Sequence, residues 1–219
     1  MSSDKEIEKP SLFGMITSPT EQFRRIKERP MIWGAMGIIV VLFIIGSWLN
    51  MREVDLFSGM EVDEELVGLS DTFKVYGAII GGVLGPLLGV LTVSAVFFLI
   101  SKIVEVTVSF RQLFSMNTYI SLITVFGLII NGGLSMLYGD LEGVFYTSLG
   151  GILNASGGLG VLFANLEVFS IWKLVLTAIG LQKVAGYSKG LAWTLPIVFF
   201  VGGIIFGLMG EGLTGIVGG

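Results

Sequence analysis

The chain has 219 residues, 53% of them hydrophobic and only 14% charged, with a net charge of −4 and a mean hydropathy of +0.86. A water-soluble domain carries about 25% charged residues, so the polar side chains here are too few to cover a water-facing surface. Cysteine and histidine are both absent, which excludes disulfides, thiolate or imidazole metal sites, and nucleophiles or bases built on those side chains.

Residues 1–30 read as a cytoplasmic amphipathic leader. Ser18-Pro19-Thr20-Glu21 has the form of a capping box. Phe23 and Ile26 fall on one face of the helix that follows, with Arg24, Arg25, Lys27 and Arg29 around them. Two readings stay open: a helix that grips anionic lipid at the membrane surface, or an ordinary juxtamembrane helix flanked by cations. The leader does not have the form of a signal peptide, because its basic residues stand apart from a short apolar core and no small-residue cleavage site follows.

Residues 31–209 read as an all-α polytopic bundle. A helix needs about 20 mostly apolar residues to cross a bilayer, and the apolar runs 31–49, 75–100, 117–138, 168–182 and 191–209 are the five candidates, the fourth being the weakest because Lys173 interrupts it. The period-2 alternation of barrel strands is missing, so helices are the expected spanning form. Pro30 stands where a first helical turn tolerates proline. Pro86 lies inside the second run and frees the carbonyl one turn earlier. In the same run Gly77, Gly81, Gly85 and Gly89 recur every fourth residue, and Gly203 and Gly207 repeat the spacing in the fifth. Such strips let a second helix approach closely; within a small bundle an internal partner is expected.

Lys and Arg orient the chain. The leader is basic, and the loop 50–74 is dominated by Glu53, Asp55, Glu61, Asp63, Glu64, Glu65 and Asp71. Lys102 and Arg111 mark the second loop, the third (139–167) has no Lys or Arg, and Lys183 and Lys189 mark the fourth. Basic and non-basic segments alternate in step with five spans, amino terminus inside and carboxyl terminus outside, with a short external tail at 210–219.

Within the third loop, residues 149–163 are apolar but rich in glycine, with Asn154 and Ser156 among them. Glycine at that density disfavours helix. A re-entrant segment and a flexible external loop are both compatible with it. Lys173 interrupts the fourth span, where an ammonium costs roughly +2.5 to +3.5 kcal/mol on insertion scales. It pairs with a ligand or partner carboxylate, snorkels to the cytoplasmic interface, or meets Glu105 or Asn131.

Catalysis is not expected. Glu64-Glu65 lacks the following Arg and the His residues of a paired-glutamate intramembrane protease, Ser170 beside Lys173 lacks a nucleophile elbow, and no nucleotide-binding fingerprint is present. No cofactor is implied, and no basic-aromatic interleaving points to nucleic acid.

Three further stretches carry a family resemblance. They are Ser18-Pro19, Phe23 and Pro30 in the leader; Ser109-Phe110-Arg111-Gln112-Leu113-Phe114-Ser115 with Tyr119; and Phe169-Ser170-Ile171-Trp172 with Gly180-Leu181 and the turn Gly186-Tyr187-Ser188-Lys189. The chain resembles the bacterial branch of the Yip family, five-span relatives of the Ypt/Rab-interacting proteins. The resemblance is nearest to members that accompany a MacB-type ABC exporter. It implies a lipid-embedded accessory or assembly subunit working beside a permease, an ATPase and a membrane-fusion-like subunit, in efflux or protection against a toxic peptide. Phe110, Arg111 and Phe114 would then form a cytoplasmic partner loop. Two other functions fit the residues: a membrane-organising scaffold acting as a homo-oligomer through the glycine strip, and an autonomous small-solute carrier with Lys173 as counter-charge.

Overall fold

The computed structural model of the protein describes residues 8–51, 64–139, 141, 144–153 and 157–217. The acidic residues Glu53, Asp55, Glu61 and Asp63, and Asn154 and Ser156 of the glycine-rich stretch, lie outside the described residues. The fold is an all-α bundle. Two leader helices, α1 (Gly14–Thr17) and α2 (Pro19–Glu28), precede α3 (Trp33–Met51), α4 (Glu64–Ile103) and α5 (Phe110–Tyr138). Two short helices, α6 (Leu149–Leu153) and α7 (Gly157–Asn165), lead to α8 (Val168–Gly180), which continues as a π-helical turn (Leu181–Ala185), and α9 (Lys189–Val217) closes the chain. Four stretches, Trp33–Met51, Leu69–Ile103, Phe110–Tyr138 and Val168–Ala185, are long and apolar enough to cross a membrane, and Lys189–Ile205 is a shorter apolar helix.

The apolar runs therefore sit where sequence places them, but the helices are longer than the runs. Helix α4 begins in the expected loop and carries Asp71 and Lys74 on its first turns. Helix α5 takes in the expected partner loop, so Phe110, Arg111 and Phe114 stand on its first turns and not on a loop. Helix α9 runs on through most of the expected tail. Helix α3 opens at Trp33, three residues after Pro30, so Pro30 is not its first-turn residue.

The capping box also falls elsewhere. Ser18 makes no side-chain cap to α2; Glu21 instead binds Arg24 and Arg25. The two-way box is at the start of α5, where Ser109 Oγ accepts from Gln112 N at 3.2 Å and Ser109 N donates to Gln112 Oε1 at 2.9 Å.

Helix α5 is the hub, packed on α3, α4 and α8, while α3 fills the angle between α4 and α5, and α9 rests on α8. Close approach of α3 and α4 depends on Gly82, where a Cβ would lie 2.5 Å from Ile44 Cα. Gly46 and Gly132 play the same role between α3 and α5 against Leu128 and Leu49. Polar links reinforce the contacts: Asn50 Nδ2 donates to Leu128 O at 3.0 Å, and Asn117 Nδ2 to Ser94 Oγ at 2.9 Å. Large apolar side chains such as Ile80, Leu84, Leu88 and Ile205 remain on the outside, the arrangement of a bundle solvated by lipid.

The leader belongs to this core. Met15, Phe23 and Ile26 are fully buried with Leu113, Met116, Leu181 and Ala185. Tyr119 OH donates to Pro10 O at 3.1 Å, Ser115 Oγ to Met31 O at 2.8 Å and Gln112 Nε2 to Lys27 O at 2.7 Å. The apolar face of the leader, which the lipid-gripping reading would place on the membrane surface, is turned onto the ends of α5 and α8. The described parts of the glycine-rich stretch are helical: α6 and α7 approach each other closely at Gly150, where a Cβ would lie 2.8 Å from Ala164 N. An antiparallel bridge between Ser148 and Glu167 closes the base of this α6–α7 hairpin.

Candidate functional site

Where the hairpin meets the bundle, a buried polar knot joins three elements. Glu167, 3% exposed, is the N-cap of α8 and accepts from Phe169 N at 2.9 Å and Ser170 N at 2.6 Å. Thr147 Oγ1 donates to Glu167 Oε1 at 2.7 Å and accepts from Asn131 Nδ2 at 2.8 Å. Thr147 N donates to Asn131 Oδ1 at 3.0 Å, and Asn131 Nδ2 also reaches Gly127 O at 2.9 Å. The carboxylate is thus satisfied by three donors and no cation. The position was open to sequence reading, because an acidic residue directly before an apolar run is a cap signal.

Beside the knot, a cavity of about 120 Å³ lies between α3, α5 and α8, lined by Phe43, Thr124, Asn131, Glu167, Ser170 and Lys173. A second, of about 260 Å³, opens between α4, α8 and α9 and shares Ser170 and Lys173 with the first. Lys173 is exposed at this outer surface. It stands five residues inside Val168, which places it about 7–8 Å from the start of α8 at 1.5 Å per residue.

Neither expected neighbour pairs with Lys173. Asn131 is committed to Thr147. Glu105 lies at the opposite end: it follows α4 in a left-handed conformation (φ 55°), next to Val106, whose side chain approaches Gly186. From Lys173 to the end of the π turn is about 18 Å of helix. Lys173 forms no ion pair among the described residues.

The remaining candidates separate into two groups. Gly81, Gly85 and Gly89 face outward, and a Cβ at any of them meets no described atom within 4 Å; Gly203 is the same, and Gly207 is exposed. Gly77 touches only the tip of Met51. Among the described residues no helix meets Gly81, Gly85 or Gly89; α3 approaches α4 instead at the neighbouring Gly82, on the face where Ala78, Pro86 and Val90 are also buried. At the other end, Phe110 is held between Phe98 (6.0 Å, edge-on) and Phe114 (5.8 Å), and Lys102 caps Phe98 at 4.9 Å. Arg111 is exposed. In the leader, Arg24 is paired with Glu21 and Glu28, and Arg25 with Glu8 and Glu21, while Lys27 and Arg29 are exposed. The Arg24 and Arg25 guanidiniums pull the Glu21 carboxyl down to about 2. In the α8–α9 turn, burial pushes the Tyr187 hydroxyl up to about 12, and that hydroxyl donates to Phe97 O at 2.5 Å.

Long apolar helices, lipid-facing side chains and an internal polar knot define a multi-pass helical membrane protein. The Yip1 domain matches residues 13–210, so the chain belongs to the Yip1-domain family. That match takes in the leader helix α2, in keeping with its burial in the core. The chain is 34% identical over 219 residues to Membrane protein YknW of Bacillus subtilis (strain 168), covering 96% of this chain and 94% of that protein. No solved structure matches it.

Proposed function

We propose that the chain is a non-catalytic accessory subunit of an ABC-type efflux complex, seated in the cytoplasmic membrane beside a permease, an ATPase and a membrane-fusion-like subunit, and supporting export or protection against a toxic peptide. Support comes from the family resemblance and from kinship to YknW along nearly the whole chain. The observation that carries the reading is the outward glycine strip. Gly81, Gly85 and Gly89 offer a surface for close helix packing that no described part of the chain uses. A helix of another subunit fits such a surface. Replacing Gly81 and Gly85 together by Leu is expected to abolish co-purification of the permease in mild detergent while membrane insertion is unchanged. Undiminished co-purification removes the strip from the interface.

A second copy of the chain fits the same strip, which is the scaffold reading. Because the chain has no Cys, a single Gly85→Cys substitution distinguishes the two. Disulfide-linked homodimers in native membranes favour the scaffold, and cross-links to the permease alone favour the accessory subunit. In either case the chain is taken to span five times, amino terminus inside.

A further inference from the structure

Lys173 is a cation on an outward-facing groove, with no anion paired to it among the described residues. The groove between α4, α8 and α9 has a volume of about 260 Å³. Ser170, Lys173, Leu174 and Thr177 follow one another at helical spacing along the α8 wall, and Phe97 and Phe199 form part of the opposite one. Its polar groups are therefore confined to one wall, and the rest is hydrocarbon and aromatic surface. Among the described residues, the Glu167 carboxylate shares the adjoining cavity, but its oxygens are taken by Phe169 N, Ser170 N and Thr147 Oγ1. Among the described residues Lys173 forms no ion pair. An ammonium in so apolar a setting is costly unless a counter-charge reaches it.

We infer that the groove seats an anionic phospholipid, with its phosphate on Lys173 and Ser170 and an acyl chain along the exposed Val93 and Phe199. Charge complementarity selects the anion. Position selects a lipid: Lys173 is about 7–8 Å inside the start of α8, a depth from which a long lysine side chain reaches the headgroup level of one leaflet. The same groove gives a free anion only one wall of donors and no polar surface opposite.

The test uses the full chain purified in mild detergent and native mass spectrometry with phosphatidylglycerol or phosphatidylcholine of identical acyl chains. The wild type is expected to retain one phosphatidylglycerol in preference to phosphatidylcholine. Lys173→Met is expected to weaken that retention about tenfold, the loss of one charge-assisted hydrogen bond, and Lys173→Arg to keep it. Lys27→Ala with Arg29→Ala, at the other end of the bundle, is expected to leave it intact. Met removes a charge from an apolar groove, so folding is not at risk, and the thermal midpoint checks this. Equal retention of the two lipids by the wild type, undiminished phosphatidylglycerol in Lys173→Met, or displacement by excess glycerol 3-phosphate would each overturn the assignment.

Discussion

Neighbouring glycines in α4 have opposite duties. Gly82 has the Ile44 backbone against it, at 2.5 Å from where a Cβ would stand, whereas Gly81 has open space. A methyl group at 82 must push α3 away, because the obstacle is backbone and cannot rotate aside. Overpacking of this kind costs about 1–3 kcal/mol. Gly82→Ala is thus expected to lower the thermal midpoint in detergent clearly, while Gly81→Ala is neutral or slightly stabilising through its better helix propensity. Equal midpoints for the two variants would contradict the packing of α3 on α4. The repeat of glycines was legible in the sequence, but its direction was not. One residue turns a helix by about 100°, and in lipid the outer face is as apolar as the inner. Hydrophobic periodicity therefore carries no signal to tell position 81 from position 82. The partner of Lys173 was illegible for a related reason: composition shows that a charge is present, not what it faces.

Elements show where hydropathy stops being informative. It finds the hydrocarbon-spanning part of a helix, and each apolar run corresponds to a helix or part of one. It does not find helix continued beyond the hydrocarbon, as in the first turns of α4 and α5. Local chemistry was available for α5 in Ser109 and Gln112. The similar pattern at Ser18 fails because two arginines take the Glu21 carboxylate from the backbone. Glycine density argued against helix at α6 and α7, yet both are helical, and Gly150 and Gly151 serve close backbone approaches. The leader's own electrostatics give a test at this scale. Its Glu21 carboxyl is held at about 2 against 4.5 normally, chiefly by hydrogen bonds from Arg24 and then Arg25. A depressed carboxyl favours the folded state above the unfolded value, and the benefit disappears as pH falls through the folded one. The gap in thermal midpoint between wild type and Glu21→Gln should therefore be steady above pH 4.5 and close between 4.5 and about 2. A gap that does not change with pH would mean that the carboxylate does not hold the leader.

The whole molecule gathers charges that are far apart in sequence. The leader packs on the π turn, which brings Arg24, Arg25, Lys27 and Arg29 to the end that carries Lys183 and Lys189. Lys102 and Arg111 stand at the same end, where α4 finishes beside the start of α5. Among the described Lys and Arg residues, Lys74 and Lys173 stand apart: Lys74 pairs with Asp71 on the first turns of α4, and Lys173 lies in the outward-facing groove. The positive-inside rule predicts that a bundle so polarised inserts with its basic end in the cytoplasm, with the α6–α7 hairpin and the polar knot of Asn131, Thr147 and Glu167 on the opposite side. The absence of native cysteine allows a direct check. A cysteine at exposed Leu159 in α7 should react with a membrane-impermeant maleimide in intact cells, and one at exposed Lys27 only after the membrane is permeabilised. A reporter fused after Gly219 should be active only outside. The reverse labelling would place the leader, the glycine strip and the lipid groove in the wrong leaflets. A cytosolic reporter combined with the expected labelling would leave the first four helices in place and deny only that α9 crosses the membrane.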